Sequence, residues 1–374
     1  MSIISLGAYD RFNYGDLLFA HMIDRVAESE LVHTAIAGSD LSSVGGHLTV
    51  PVRSALKSET SSVEGIIVGG GDVLTASWFA VDWQLRSERL DLAYRAAYRF
   101  LPLGMLDYVA RAARFSSWER PYIPPRDVCE AIPVVYHAVG GADIARLSVA
   151  EQEVIAEALR ASKLVTVRDR TTAANLDSVD VPSLLSPDSV AAMSLDTPEV
   201  LSQADARQVV FQASDNWLRH RLPQVVSALT ELLKAGFNID FLPIGLAAGH
   251  SDLTAYERLR SRFPSVGLLE VRNVEDIKSA ITKATVFIGT SLHGHITSVA
   301  VGTPTIALGG VSKLEAYVET WASELCPVVF DLSDLPTSVN RALGIPASLR
   351  EDVRIRLGAQ AQLNTKRCLE ALLE

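Results

Sequence analysis

The residues of this 374-residue chain whose types and spacing could do chemistry gather in a few short polar turns, each placed after an apolar run. The densest is Gly289-Thr-Ser-Leu-His-Gly-His295, which follows Val286-Phe-Ile288. Gly289, Thr290 and Ser291 are small and stand where a helix would open near His293, so their backbone N–H groups and the helix dipole favour an anion there. His293 and His295 bring to the same spot the one side chain whose ordinary pKa lies close to neutrality. The same spacing also fits a plain crossover in a parallel sheet with a histidine that only caps the helix. Three further turns share this layout. Asn13 and Asp16 follow the apolar residues 3–6, Gly69, Gly70, Gly71 and Asp72 follow 66–68, and Arg168 and Asp169 follow 164–167. Gly70 and Gly71 let the backbone approach a ligand closely, although the pattern is not G-x-G-x-x-G. An arginine at a strand end can grip a carboxylate or phosphate through two N–H groups, or pair with Asp169 or a neighbouring helix. Asn13 and Asp16 suit a turn and an N-cap equally well, and Asp72 could bind a hydroxyl or cap the next segment.

The elements that must position these turns alternate strand and helix at close spacing, as βαβ units require. A first series runs from the strand at 3–6 through a helix at 17–27 to strands near 66–68, 132–139 and 164–167. A helix at 148–161 opens on Ser148 with Glu151 three residues on, the pattern of a capping box. The polar, turn-rich residues 194–208 read as a linker. A second series follows, with strands at 209–212, 239–243, 267–271, 286–288 and 305–308 and helices at 218–234, 253–262, 274–284 and from 293 to a stop at Gly302. The pattern predicts an α/β protein of two Rossmann-like doubly wound domains, 1–195 and 205–345, facing across a cleft, with a terminal helix over 347–374 packing back on the first.

The first domain carries an insertion at about 86–126. Eight arginines there stand against Glu88, Asp91, Asp107 and Glu119, a local balance of 8 − 4 = +4, with aromatic and aliphatic residues interleaved. It reads either as a solvated amphipathic helical insertion or as a surface that meets an anionic, partly lipidic acceptor or the inner face of a membrane. The chain as a whole is acidic, 34 − 44 = −10, which argues against general nucleic-acid binding. Cys129, Cys326 and Cys368 are odd in number and widely spaced, so neither a disulfide framework nor a zinc site is expected from the cysteines. No basic segment with a long apolar run opens the chain, and no window reaches the length of a membrane span. The expectation is a cytoplasmic protein, peripheral at the inner membrane face if the insertion meets lipid.

Taken together, Asn13-Tyr-Gly-Asp16, Ile67-Val-Gly-Gly-Gly-Asp72, Val167-Arg-Asp169, Pro187-Asp188 and Thr290-Ser-Leu-His-Gly294 with Gly302-Thr-Pro-Thr-Ile306 resemble the polysaccharide pyruvyl transferase family in order and spacing, over roughly residues 3–308. The resemblance implies a fold similar to GT-B glycosyltransferases. It also implies transfer of a pyruvyl group from phosphoenolpyruvate, as co-substrate and without a further cofactor or metal, to a sugar of a cell-surface polysaccharide or of its lipid-linked or nucleotide-linked precursor. The family's histidine falls on His293 and its Val-Arg-Asp arginine on Arg168. The implied catalytic set is His293 with Asp16 or Asp72, or Asp169, as base. The implied donor-binding set is Arg168, Gly289, Thr290, Ser291, Gly294, Asn13, Gly70 and Gly71. Two departures stand out: Ser291 occupies a position where the family often has arginine, and Phe12 one where glycine is common. Loss of that arginine leaves two other expectations in place, a GT-B glycosyltransferase using a nucleotide sugar and a non-catalytic carbohydrate-binding relative.

Overall fold

The computed structural model describes residues 2–58, 63–86, 90–114, 116–196, 207–246 and 252–374. These fall into two compact units, 2–189 with 363–374, and 190–246 with 252–362. The linker read at 194–208 lies outside the described residues over 197–206.

The first unit is built on β1 (Ser2–Leu6), β2 (Glu30–Ala35), β3 (Ser39–Asp40), β4 (Leu48–Pro51), β5 (Val63–Gly69), β6 (Val134–Val139), β7 (Leu164–Val167) and β8 (Leu184–Leu185). They form one sheet in the order β3-β4-β2-β1-β5-β6-β7-β8. All neighbours are parallel except β3 and β4, which pair antiparallel at the edge. Both faces are covered, which is why the central strands read as continuous apolar runs. Ile4, Leu6, Ile66, Val68 and Val134 face one core. Ile3, Ile67 and Val135, alternating with them, face the other, against Ile23, Cys368, Leu369 and Leu372. The last of these residues belong to the end of the helix Ala347–Leu373. Gly65 has no side chain because Leu372 fills the space: a Cβ there would stand 2.7 Å from Leu372 Cδ2.

Between Tyr136 and Val139 the pairing of β6 with β7 slips. Ala138 there takes φ 49°, a left-handed conformation that costs a non-glycine residue about 1–2 kcal/mol. Thr166 holds the slip in place: its Oγ1 accepts from Ala138 N–H at 2.7 Å and donates to Tyr136 O at 3.1 Å.

The second unit carries β9 (Gln208–Gln212), β10 (Asn238–Phe241), β11 (Gly267–Leu268), β12 (Val286–Gly289), β13 (Thr305–Leu308) and β14 (Val328–Val329). Their order is β11-β10-β9-β12-β13-β14, parallel throughout. Its core joins Val209, Phe211, Phe241, Val286, Ile288, Ile306 and Leu308 to the flanking helices.

Local chemistry sets several boundaries. The capping box at Ser148 is formed, with Glu151 N–H on the hydroxyl and Ser148 N–H on the Glu151 carboxylate. The first helix spans Tyr14–Asp24, three residues ahead of the sequence expectation, because Asn13 is already extended at φ −132° and serves as its N-cap. The helix expected over 218–234 is two helices, Asp215–Arg219 and Leu222–Lys234. Proline occupies the second position of the latter, where a missing N–H costs nothing. The strand expected to reach 271 stops at Leu268, at the sheet edge. The long terminal helix, Ala347–Leu373, is present as read.

Gly302 ends the helix Leu292–Val301 at φ 77°. A Cβ there would meet nothing within 4 Å. Gly302→Ala therefore carries only the conformational cost, about 1–2 kcal/mol, and chemical denaturation is expected to show a loss of that size with an unchanged m-value.

Candidate functional site

In an open parallel sheet, ligands bind beyond the carboxyl ends of the strands, where the strand order reverses. The first sheet reverses between β1 and β5, and the second between β9 and β12. Asn13 and Asp16 follow β1, Gly70, Gly71 and Asp72 follow β5, and Gly289 to Gly294 follow β12. Each unit therefore presents its own cluster of the expected residues at its own switch point.

In the first unit, Asp16 sits in the first turn of Tyr14–Asp24. Its Oδ1 lies 3.2 Å from where a Cβ on Gly71 would be, and Gly71 has φ 79°; a side chain at this position would be both strained and crowded. Gly70 makes room for the Phe19 ring, 2.2 Å from a built Cβ. Its missing side chain thus serves packing. Asn13 makes no side-chain cap bond. Asp72 caps nothing either; instead its Oδ1 lies 3.7 Å from Arg168 Nη2, and its side chain is 30% exposed.

Arg168 departs from the expected picture of an arginine offered to a ligand. It is 1% exposed, packed against Gly140, where a Cβ would come within 2.5 Å of Nη2. Its Nη1 lies 3.5 Å from Asp188 Oδ2. Burial by itself would lower the guanidinium pKa. The carboxylates of Asp72, Asp188, Asp169 and Asp16 outweigh it and leave the pKa raised. Arg168 is thus the buried cation on which these carboxylates converge. Asp169 is not an open base: Oδ1 accepts from Thr172 N–H at 2.7 Å as the N-cap of Arg170–Asp177, and burial raises its pKa. Asp72 and Asp16 are the part-exposed carboxylates of this group.

The loop after β1 holds two charges that sequence reasoning passed over. Asp10 and Arg11 are both buried. Arg11 bonds Asp10 Oδ1 at 2.6 Å and the Tyr122 hydroxyl at 2.8 Å, and Asp10 Oδ2 accepts from Ala37 N–H at 2.8 Å. Adjacent opposite charges inside a predicted strand-end loop were the available signal.

In the second unit, the loops after β9, β12 and β13 are laced together. Gln212 Oε1 accepts from Thr290 N–H at 3.0 Å and from its hydroxyl at 3.1 Å. The same hydroxyl accepts from Ser214 N–H at 3.1 Å, and Trp217 Nε1 donates to Gly309 O at 2.7 Å. Ser291 caps Leu292–Val301, its Oγ accepting from Gly294 N–H at 3.2 Å. The N–H groups of Thr290 and Gly294 therefore have protein partners, contrary to the expectation that this turn leaves them for a donor. Gly289 and Gly294 are small because Phe287 fills the space: built Cβ atoms would stand 2.9 and 2.5 Å from its ring. Gln212 Nε2 in turn donates to Asp252 Oδ2 at 2.9 Å. Burial pushes the Asp252 carboxyl up to about 6, against the N–H bonds from Gln212, Gly245 and Ile244.

The two histidines separate. His295 is buried at 2% exposure, with Nδ1 2.6 Å from Thr305 Oγ1 and Nε2 2.9 Å from Gly289 O. It is a structural cross-link, and burial pushes its pKa down to about 4. His293 is half-buried and is the second residue of the helix Leu292–Val301. Arg221 was not singled out from the sequence. Its Nη2 comes within 2.8 Å of a Cβ built on Gly310, and its guanidinium lies 4.9 Å from the Trp217 ring centroid. That puts a cation at the same sheet end as Ser291, although not in the Ser291 position.

The insertion also differs from its expected balance. Its described part is a pair of helices, Asp91–Phe100 and Leu103–Ala113; Arg89 and Phe115 lie outside the described residues. Arg86 and Arg114 are spent on the buried Asp82, at 3.2 and 2.7 Å, and Arg120 on Glu151 at 2.6 Å. Arg95 pairs with Asp91 at 2.5 Å, and Arg99 and Arg111 remain on the two helices, among exposed Leu92, Phe100, Tyr108 and Val109.

Residues 141–310 match the polysaccharide pyruvyl transferase family. The segment contains Arg168, Asp188 and the whole Gly289–Gly294 turn, and it bears out the resemblance carried by those motifs. Asn13 to Asp16 and Gly69 to Asp72 lie outside it. No curated protein matches the chain significantly. Among solved structures, UDP-GlcNAc 2-epimerase from Neisseria meningitidis bound to UDP-GlcNAc superposes with a TM-score of 0.59 at 13% identity, covering 100% of both chains. HepE from Anabaena in complex with UDP-glucose gives 0.57 at 9% identity, covering 99% of this chain and 98% of that one. UDP-N-acetylglucosamine 2-epimerase from Rickettsia bellii gives 0.57 at 13% identity over 100% and 95%. The fold is that of GT-B glycosyltransferases and epimerases, as expected. Among the described residues no helix is long and apolar enough to cross a membrane.

The split between the histidines has a direct test. His295→Ala leaves Thr305 and Gly289 without their partner in a closed core and is expected to cost about 2–4 kcal/mol, measured by urea denaturation. An NMR titration of the wild type should keep the His295 ring neutral down to about pH 5.

Proposed function

We propose that this protein transfers the pyruvyl group of phosphoenolpyruvate to a sugar of a cell-surface polysaccharide or its precursor. The observation that carries the reading is the family match over 141–310, which includes His293 at the opening of a helix on the switch point of the second sheet. In the reaction a proton goes to the methylene carbon of the donor, making C2 electrophilic. A sugar hydroxyl adds there, the C2–O bond to phosphate breaks, and a second hydroxyl closes the ketal. One hydroxyl proton balances the proton placed on carbon, and the other leaves with phosphate.

His293 is assigned the proton transfer, which a placed general catalyst accelerates about 10²–10⁴-fold. Arg221, beside the Ser291 turn, is assigned to the anionic donor, since Arg168 is buried under its own carboxylates. In the first unit, Asp72 and Asp16 stand at the switch point as the carboxylates suited to act as a base. His293→Ala should cut phosphate release from phosphoenolpyruvate by at least about 100-fold while the melting temperature stays within a degree or two of wild type. Unchanged turnover would remove His293 from the mechanism.

A second reading is favoured by two observations: serine at position 291 and GT-B relatives solved with UDP-sugars. In that reading the donor is a nucleotide sugar. Thermal shift separates the two, because a ligand at about 100 times its dissociation constant adds about 2.7 kcal/mol. Stabilisation by phosphoenolpyruvate supports pyruvyl transfer, and stabilisation by UDP-sugars alone supports the second reading.

The acceptor is proposed to be presented on lipid. The support is the helix pair 91–113, with Leu92, Phe100, Tyr108 and Val109 exposed beside Arg99 and Arg111, a combination suited to an anionic membrane face. Co-sedimentation with phosphatidylglycerol vesicles should fall several-fold on Phe100→Ser with Arg99→Glu and Arg111→Glu. Equal binding by both proteins would refute the membrane contact.

A further inference from the structure

Away from both switch points, the first unit holds a compact group of three histidines and an aspartate that neither the family motifs nor the proposed reaction uses. His21 and Asp24 lie on the last turns of Tyr14–Asp24, His33 lies on β2, and His47 lies in the turn just before β4. Ligand atoms from His21, Asp24 and His47 all lie within 4.8 Å of one another. His47 Nε2 is 3.1 Å from His21 Nδ1 and 3.4 Å from Asp24 Oδ2. Ligands held about 2.0–2.1 Å from a tetrahedral zinc ion stand about 3.3 Å apart, so these two separations are already those of a coordination edge.

The surroundings fix each ligand in the required form. His21 Nε2 is 2.8 Å from Gly45 O. A carbonyl only accepts, so the ring proton sits on Nε2 and Nδ1 turns a lone pair toward His47. A metal-bound imidazole is ordinarily oriented by such a bond from its other nitrogen. His33 Nδ1 is buried without a hydrogen-bond partner, which places its proton on the other nitrogen. His33 Nε2, 3.0 Å from Asp24 Oδ1, therefore donates to the carboxylate and leaves Oδ2 to face His47. His33 and His47 also stack, with centroids 4.2 Å apart. The side chains of Asp24 and His47 are 35% and 20% exposed, so an ion has a way in.

We propose that His21 Nδ1, Asp24 Oδ2 and His47 Nε2 bind a divalent transition-metal ion of the zinc type, with His33 as the residue that positions Asp24. Two imidazoles and one carboxylate select a borderline ion over Mg²⁺ or Ca²⁺, which prefer all-oxygen sites. Three protein ligands leave at least one position for water. The cysteines do not compete: all three are buried, and burial raises Cys129 to about 11 and Cys326 and Cys368 to about 12. The ion would tie the end of the helix that bears Asp16 to the turn before β4, with His33 linking Asp24 to β2.

The test is equilibrium dialysis of the full chain against Zn²⁺, with Mg²⁺ in parallel, followed by elemental analysis. One Zn²⁺ per chain and no Mg²⁺ is expected, with a rise in melting temperature. His33→Phe should weaken zinc binding about 10- to 100-fold, Asp24→Asn and His47→Gln should weaken it further, and His220→Ala, elsewhere on the surface, should leave it unchanged. Co²⁺ in place of Zn²⁺ should give visible d–d absorption that is lost in His47→Gln, with far-UV circular dichroism reporting that the variant is folded. Zinc binding by the folded His47→Gln and Asp24→Asn variants equal to wild type, or no zinc on the wild type, would overturn the proposal.

Discussion

Apart from the antiparallel β3–β4 pair at one edge, both sheets are parallel, and their central strands are buried on both faces; this constraint governs where chemistry can sit. A strand such as Val286–Gly289, closed in on every side, has little place for a charge along its length, because an unpaired charge in such a core is far too costly. Polar residues are driven to the strand ends, and since all neighbours in the second sheet run the same way, those ends share one edge. The turns at 213–214, 289–294 and 309–310 are neighbours for that reason, and their cross-bonds through Gln212, Thr290 and Trp217 hold them as a single surface.

Where charge does enter the interior it comes with its complement. Arg168 lies at 1% exposure only because Asp72 and Asp188 approach it and Gly140 leaves it space. Removing one member of such a group strands the others in a medium that solvates them poorly. This gives a physical account of why Val-Arg-Asp at 167–169 and Pro-Asp at 187–188 occur together in the family pattern: Arg168 and Asp188 meet in space. His295 follows the same logic with neutral groups, since a ring bonded at both nitrogens can be buried and stay uncharged.

Much of this was legible in the residues. The alternation of strand and helix, the glycine stop at Gly302 and the capping box at Ser148 are local properties, and each appears as read. The candidate turns were legible too, because strand ends announce themselves by small and polar residues after an apolar run. The failures were of another kind. The helix read across Pro223 broke in two, and the arginines of the 86–126 window were counted as surface charge although Arg86, Arg114 and Arg120 meet acids at Asp82 and Glu151. Charge counting along a chain cannot know which acid lies opposite in space.

The sequence by itself determined the fold class, the positions of the turns and the family pattern over residues 141–310, because these depend on neighbours within a few residues or on order along the chain. Only the tertiary structure decided which of two histidines two residues apart is structural, which way Arg168 faces, that Arg221 reaches the end of the second sheet, and that His21, Asp24, His33 and His47 share one corner. Those outcomes rest on contacts between residues up to 168 − 72 = 96 positions apart, and a one-dimensional spacing carries no record of the packing that brings such segments together.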